Sequence, residues 1–436
     1  MKFFTYLFSL WLICFYQTCY ADETSQASVW NYIIKKNDSF ERLFQNYLAK
    51  HENVEALANF NHHRLSKKLQ PGQVISIPVE MLKHIPARVQ VVLVYGDVNA
   101  FDATSKISHK VNNGDFLGQR DSLTVNKNSL AKLHFADGTA VDVQSNSTLT
   151  IVSSYQLAGI ENYVTDLKLT KGRTEVVANP GHTIGNKLQV QTPSAIAAVR
   201  GTQFRVGAEE SFSLQETLDG QVAFTASGQE VLLPKGYGSV AEKDKEPLPP
   251  QLLPNAPDVS NLPNLLDSKP YEVDVPTQSD AVAWFAQLSL DENFTQIINE
   301  QITQSGKMVF ADLADGQYFL KLRAQDQHGL QSVDAKHAFK VKFEALVELL
   351  APQANDHLTA KSIKLSWLPV PTSTGYRVQI SKDVNFNDKV FERYASFDSL
   401  MVLQPFEAGD YYWRVSAMID GKPQKTSKIR KFILSN

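Results

Sequence analysis

Nothing in this sequence constrains the fold more than the run from Ala87 to about Val240, where apolar and polar residues alternate with period two. Successive side chains of a strand point to opposite faces, so such alternation specifies half-buried β-strands. In "SLAKLHFADGTAVDV", Ala131, Leu133 and Phe135 share one face and Leu130 falls out of phase. Asp137-Gly138 then supplies a hairpin turn, and Val141 and Val143 continue inward. The same reasoning places turns at Lys171-Gly172 and at Asp219-Gly220. No long amphipathic helix interrupts the pattern, which predicts an all-β domain of many short strands over residues 87–240.

One stretch of that domain, "TPSAIAAVRGTQFRV" from Thr192 to Val206, sets Arg200-Gly201-Thr202 between a small apolar run and an alternating strand. Gly201 is expected to supply a kink or bulge. The Arg200 guanidinium, with five donors, is expected to turn inward onto backbone carbonyls at that kink. Ligand binding by Arg200 is the alternative reading.

Residues 30–80 follow a different period. "NYIIKK" reads as a short strand, and "NDSFERLFQNYLAKH" as a helix whose Phe40, Leu43, Phe44, Tyr47 and Leu48 form one apolar face. Asp38 followed by Glu41 fits a capping box. A second helix, "ENVEALANF", is expected to begin at Asn53, and "LQPGQVISIP" is a turn and a strand closed by Pro78. The resulting order, strand–helix–helix–strand, resembles the LysM domain. The residues that carry the resemblance run from Tyr32-x-Ile34 through Asp38-Ser39-Phe40 and Tyr47 to Leu69-x-Pro71-Gly72-Gln73-x-Ile75-x-Ile77-Pro78. Asn37 stands where the family usually has Gly, and Asn tolerates a left-handed backbone better than most residues. The resemblance implies binding of N-acetylglucosamine-containing glycan, chiefly peptidoglycan, between two loops. Here those loops are Asn37, Asp38, Ser39 and Phe40, and Leu69, Gln70, Pro71 and Gly72.

The β region resembles the FecR domain, a periplasmic β module. The motif is Thr192-Pro193-x-Ala195 followed by Val199-Arg200-Gly201-Thr202-x-Phe204-x-Val206, with Gly96-Asp97-Val98, Gly114-Asp115 and Asp137-Gly138-Thr139 upstream. In that family a regulator couples an outer-membrane receptor to a sigma factor. No segment that would reach a cytoplasmic sigma factor is expected before its first apolar run, so direct transmembrane signalling to one is not expected.

Residues 241–264 are rich in Pro, Asn and Asp and read as a semi-rigid extended linker, its last part lying along the next domain. Beyond it lies an internal repeat. "AQLSLDENF" from Ala286 aligns with "VQISKDVNF" from Val378, and "DGQYFLKLRAQDQHG" from Asp315 with "AGDYYWRVSAMIDG" from Ala408. An offset of about ninety residues is one β-sandwich of immunoglobulin or fibronectin III size. The expected copies are 265–343 and 344–436. Tyr318, Leu320 and Leu322 in the first, and Tyr411, Trp413 and Val415 in the second, are expected core residues, as is Trp367; Trp284 is only a loose counterpart of Trp367.

The first 21 residues have the parts of a secretory signal: Lys2, an apolar stretch from Phe3 to Tyr16, and Cys19-Tyr20-Ala21. An uncleaved anchor and a lipoprotein are the alternatives. Both cysteines of the chain, Cys14 and Cys19, lie inside this segment, so the mature chain is expected to have no disulfide, Cys-based metal site or Cys nucleophile. The net charge of −3 gives no footprint for nucleic acid. No catalytic motif, cofactor site or metal site is expected. His62-His63 adjoin without a further ligand at metal spacing, and Asp137, Asp142, Asp219 and Asp315 sit at expected turns, where Asp serves the backbone. The combined expectation is a multidomain, mainly β, non-enzymatic envelope protein: a βααβ LysM module, an all-β FecR-like domain and two β-sandwich repeats. It is expected in the periplasm of a Gram-negative bacterium, tethered to peptidoglycan, with an envelope protein as a possible partner. The alternative is a sensor or adaptor whose FecR-like part binds a signalling partner or ligand.

Overall fold

The computed structural model describes residues 28–179, 186–199, 201–267, 269–342, 346–359, 362–371 and 373–435. The expected signal segment and Arg200 lie outside them. The fold is mainly β, with two short α-helices near its start. No helix among the described residues is long and apolar enough to cross a membrane. The chain divides into two compact units, one of Met1–Ala87, Ser154–Val164 and His182–Asn186, the other of Arg88–Ser153, Thr165–Gly181 and Lys187–Asn436.

In the first unit, strands Val29–Ile33 and Val74–Pro78 pair antiparallel, and helices Phe40–Tyr47 and Asn53–Phe60 lie between them in the chain. The apolar face read from the sequence is buried: Phe40, Leu43 and Leu48 pack with Val54, Leu57, Ile75 and Ile77. The first helix is capped one residue later than expected. Ser39 is the N-cap, its side chain accepting from the Arg42 backbone N–H. Asp38 is drawn away because its carboxylate already accepts from the Lys35 backbone N–H at 2.7 Å and from the Tyr32 hydroxyl at 2.8 Å. The second helix begins at Asn53, as expected. Leu157, Tyr155 and Ile160 join this core, and Tyr155–Leu157 pair with strand His84–Pro86. A Cβ on Gly159 would sit 2.4 Å from the Trp30 ring, so only glycine allows this close approach.

In the second unit, strands from Val89 to Glu242 enclose one core, in which Ala131, Leu133, Phe135, Val141 and Val143 meet Phe204, Val206 and Phe224. Asp137-Gly138 makes the expected hairpin between Leu130–His134 and Ala140–Val143. The other two expected hairpins are not hairpins. Tyr163–Val177 is one continuous strand through Gly172, whose φ of +88° bends it past Ser147 without reversing it. Asp219-Gly220 turns the chain, but the flanking strands pair elsewhere, Phe212–Asp219 with Gln203–Ala208 and Gln221–Ala226 with Gln229–Pro234. Gly201 has a φ of +59°, and a register irregularity follows at Gln203/Phe204.

The two C-terminal copies have separate cores, one around Trp284, Leu320 and Phe339, the other around Trp367, Trp413 and Phe432. Their correspondence is detailed. The Tyr318 hydroxyl donates to the Ala314 carbonyl and the Tyr411 hydroxyl to that of Glu407, four residues back in each case. Phe294 and Phe386 both have positive φ, and each ring lies under a cation, Lys321 and Arg414 respectively. The linker is anchored rather than free: Gln251–Leu252 pairs with Tyr237–Gly238, the Asp280 carboxylate accepts from Asn255, and Leu262 enters the core of the first copy.

Candidate functional site

The two expected glycan loops leave the same end of the small two-stranded sheet. Ile33 is in register with Val74 there. Just beyond, the Ile34 N–H donates to the Gln73 carbonyl and the Gly72 N–H to that of Ile34, each at 2.8 Å. Asn37 has a φ of +72°, so the residue that replaces the family's glycine holds the left-handed turn. The Asn37 carbonyl accepts from the Arg42 guanidinium at 3.0 Å. Burial, reinforced by the hydrogen bond to Asp38, pushes the Tyr32 phenol well above its ordinary range. The bond ties the loop to strand Val29–Ile33. Asn37, Ser39, Gln70, Pro71 and Gly72 are exposed, and Asp38 is half-buried. Nothing lies within 4 Å of where a Cβ would stand on Gly72. Phe40 and Leu69 are core side chains, so at these two positions the side chain is withdrawn from the surface.

A second constellation escaped the sequence reading. It lies within the second unit, between the FecR-like strands and the first C-terminal copy. Arg205 is 1% exposed. Its guanidinium meets Glu216 at 2.9 Å, Glu175 at 3.3 Å and Asp334 at 3.6 Å, and donates to the Ser332 carbonyl at 3.0 Å. Arg323, equally buried, reaches Asp334 at 2.5 Å and Glu175 at 3.4 Å. Glu216 also accepts from Arg173 at 3.1 Å and from the Gln331 backbone N–H at 2.8 Å. Burial opposes ionisation of Asp334, but Arg323, Lys321 and Arg205 outweigh it and hold the carboxyl down at about 2. Burial pushes the Lys321 ammonium down to about 8, against the pull of Asp334. Each buried charge is thus matched by an opposite one, the condition under which buried ions are tolerated.

Arg205 lies on the face of its strand opposite to Phe204 and Val206. Alternation alone assigns that face to solvent; the strand Phe212–Asp219, buried on both faces although it reads "FSLQETLD", is the available hint that something covers it. Asp142, expected at a turn, lies inside strand Ala140–Val143 and pairs with Lys132 at 2.7 Å. His62 is exposed on a turn. Among the described residues no group of three His, Cys, Asp or Glu side chains is placed to hold a metal.

Residues 32–78 match the LysM domain family, and residues 121–223 match the family described as FecR protein. A search of curated proteins returned no match. Among solved structures, a candidate anti-sigma factor from Parabacteroides distasonis ATCC 8503 is 16% identical, with 30% of this chain and 59% of that one covered and a TM-score of 0.26. The chain therefore spans less than two thirds of that structure's length. The chicken CNTN1 FN1-FN3 domains are 12% identical over 56% of this chain and 96% of that one, with a TM-score of 0.22. The fibronectin(III)-like modules of Clostridium thermocellum CbhA are 13% identical over 41% and 91%, with a TM-score of 0.18. Likenesses at these scores assign no function. One polypeptide thus carries a LysM domain at residues 32–78 and a FecR segment at residues 121–223.

Proposed function

We propose that this chain is a non-catalytic envelope protein that binds N-acetylglucosamine-containing glycan, chiefly peptidoglycan, through Asn37–Phe40 and Leu69–Gly72. The observation that carries the reading is the LysM match at 32–78 together with the two loops leaving one end of the same sheet. The open turn at Gly72 leaves room for a sugar ring, and the exposed side-chain amides of Asn37 and Gln70 offer the donor and the acceptor that acetamido groups need. The FecR-like strands and the two sandwiches are the scaffold or docking surface that this anchor holds in the periplasm, behind a cleaved signal segment. The limits 1–21, 30–80, 87–240, 241–264, 265–343 and 344–436 belong to the same proposal.

A single LysM site is small, so affinity in the micromolar to millimolar range is expected, about −4 to −8 kcal/mol. Sedimentation with purified peptidoglycan is the test. The wild-type chain pellets with the polymer, and Gln70→Glu/Pro71→Glu, which adds carboxylates at an exposed turn, stays in the supernatant with an unchanged melting curve. Equal pelleting of the two proteins refutes the assignment of this loop.

A further inference from the structure

Beside the buried charge network lies a cleft of about 670 Å³, lined on one side by residues of the FecR-like strands and on the other by the first C-terminal copy. Its far wall includes Glu300, Gln301 and Ile302, three consecutive residues of strand Ile297–Thr303. Alternate residues of a strand face opposite ways, so a cavity that touches three in a row lies along the strand's edge. Among the described residues that edge is free: the strand is the last in its five-stranded sheet and pairs only with Ala283–Ser289.

Exposed edges in natural proteins are guarded by Lys, Pro or dense charge. The repeat provides an internal comparison. The equivalent edge strand of the second copy, Lys389–Ala395, carries Lys389, Glu392 and Arg393. The first copy's strand, "IINEQIT", has no Lys, Arg or Pro and a single Glu. Its Ile302 is 62% exposed and stands in register with Phe285, which also lines the cleft. The Gln325 side-chain oxygen in the cleft wall is buried and accepts no hydrogen bond.

The charge at the cleft is negative. Glu209, Glu210 and Glu300 line it, and Glu209 and Glu210 form no ion pair among the described residues. Of the two cations there, Arg173 is engaged by Glu216 and the Gly329 carbonyl, which leaves Lys171. We propose that this cleft is a peptide-binding site in which an extended segment of a partner protein, alternating apolar and basic residues, adds as a strand to the edge Ile297–Thr303. Backbone pairing gives the affinity in this mode, and side chains on alternate sides give the selectivity. Apolar side chains meet Ile302, Phe285 and Phe212, and basic ones, on the opposite face of the added strand, meet Glu209 and Glu210. This inference is independent of the glycan reading.

The test uses the full chain and three fluorescein-labelled peptides of equal length, alternating Lys-Val, Glu-Val and Lys-Ser. Fluorescence anisotropy is expected to show Lys-Val binding at least about tenfold more tightly than either of the others, since like charges across an interface are strongly disfavoured. Amide hydrogen exchange in residues 297–303 slows when Lys-Val is bound. Ile302→Lys and Glu210→Lys, both at exposed positions, keep the wild-type melting curve and weaken Lys-Val binding by about the same factor. Binding of Glu-Val or Lys-Ser as tight as that of Lys-Val, binding unchanged in both variants, or unaltered exchange at 297–303 each overturns the proposal. Displacement of bound Lys-Val by chitotetraose also overturns it, because the cleft then takes a glycan.

Discussion

Arg205 shows how a single residue can join distant parts of a sequence. Its carboxylate partners are Glu175, Glu216 and Asp334, the last of them contributed by the first C-terminal copy. Removing one member of a buried pair leaves an uncompensated charge, so Arg205→Ala is expected to cost about 3–5 kcal/mol. Hydrogen exchange in strand Gln203–Ala208 is the appropriate readout, because a chain with several cores has no single unfolding midpoint. Lys235→Ala breaks a pair whose members are 70% and 65% exposed and should leave exchange there unchanged. The network also has a pH signature. Asp334 titrates at about 2 in the folded chain, below its ordinary 3.8. Its contribution is complete above the unfolded value and is lost as the pH falls through the folded one, an effect of about 2 kcal/mol. Lys321 has the opposite sign. With its folded value at about 8 against an ordinary 10.5, the cost of keeping it charged is relieved as the pH rises between the two, so stability rises across that window. Acid and alkaline titrations of Asp334→Asn and Lys321→Met, followed by exchange at 203–208, should each flatten the limb of the group removed and shift the other, because the two charges face each other.

At the scale of elements, the alternation of apolar residues made the strands legible, and the i, i+3, i+4 pattern the first helix. The sequence did not say which strand pairs with which. Lys171-Gly172 carries the residues of a hairpin turn, yet the strand continues, because Gly172 is required there by contact and not by reversal. A Cβ at that position would lie 2.2 Å from Ser147 Oγ and 2.7 Å from the Asn146 carbonyl oxygen. Gly228, with a similar φ of +81°, has nothing within 4 Å. The two glycines therefore separate conformational strain from close approach. Gly228→Ala should cost only the left-handed penalty of about 1–2 kcal/mol. Gly172→Ala should cost clearly more, since backbone must also move, and hydrogen exchange in strands Tyr163–Val177 and Gln221–Ala226 of the two variants against wild type decides it. The helix cap was misplaced by one residue for a comparable reason. Asp38 and Ser39 are both good caps, and the choice between them depends on Tyr32, whose hydroxyl is close to Asp38 only in the folded chain.

At the scale of the whole molecule, the repeat was visible in the sequence because each copy must bury its own core, and Tyr318 and Tyr411 do so identically. The candidate glycan loops were legible because they are contiguous short motifs. The charge network and the cleft were not, since Arg205 and Arg323 each read as an ordinary outward residue of an alternating strand. Their burial follows from how one β layer covers another, and no local pattern records it. The same fact changes the meaning of the Pro-rich stretch 242–264. Its composition suggests a semi-rigid extended linker, but the FecR-like strands and the first C-terminal copy are also held by ion pairs, by the pairing of Gln251–Leu252, and by an apolar contact of Leu214, Val240, Leu253 and Leu330. If those contacts and not the covalent link hold the two parts together, cutting the link should not separate them. A site-specific protease sequence inserted between Asp244 and Lys245, in an exposed turn, makes the cut possible. After cleavage of the otherwise wild-type chain, both fragments are expected to elute together in gel filtration at neutral pH. Arg323→Ala removes the arginine that the first copy contributes and leaves Glu175 without one of its two arginine partners. Cleaved Arg323→Ala should then elute as two species, or do so at a markedly lower urea concentration than cleaved wild type. Separation of the cleaved wild-type fragments without denaturant would mean that the linker, and not the buried charges, keeps the two parts together.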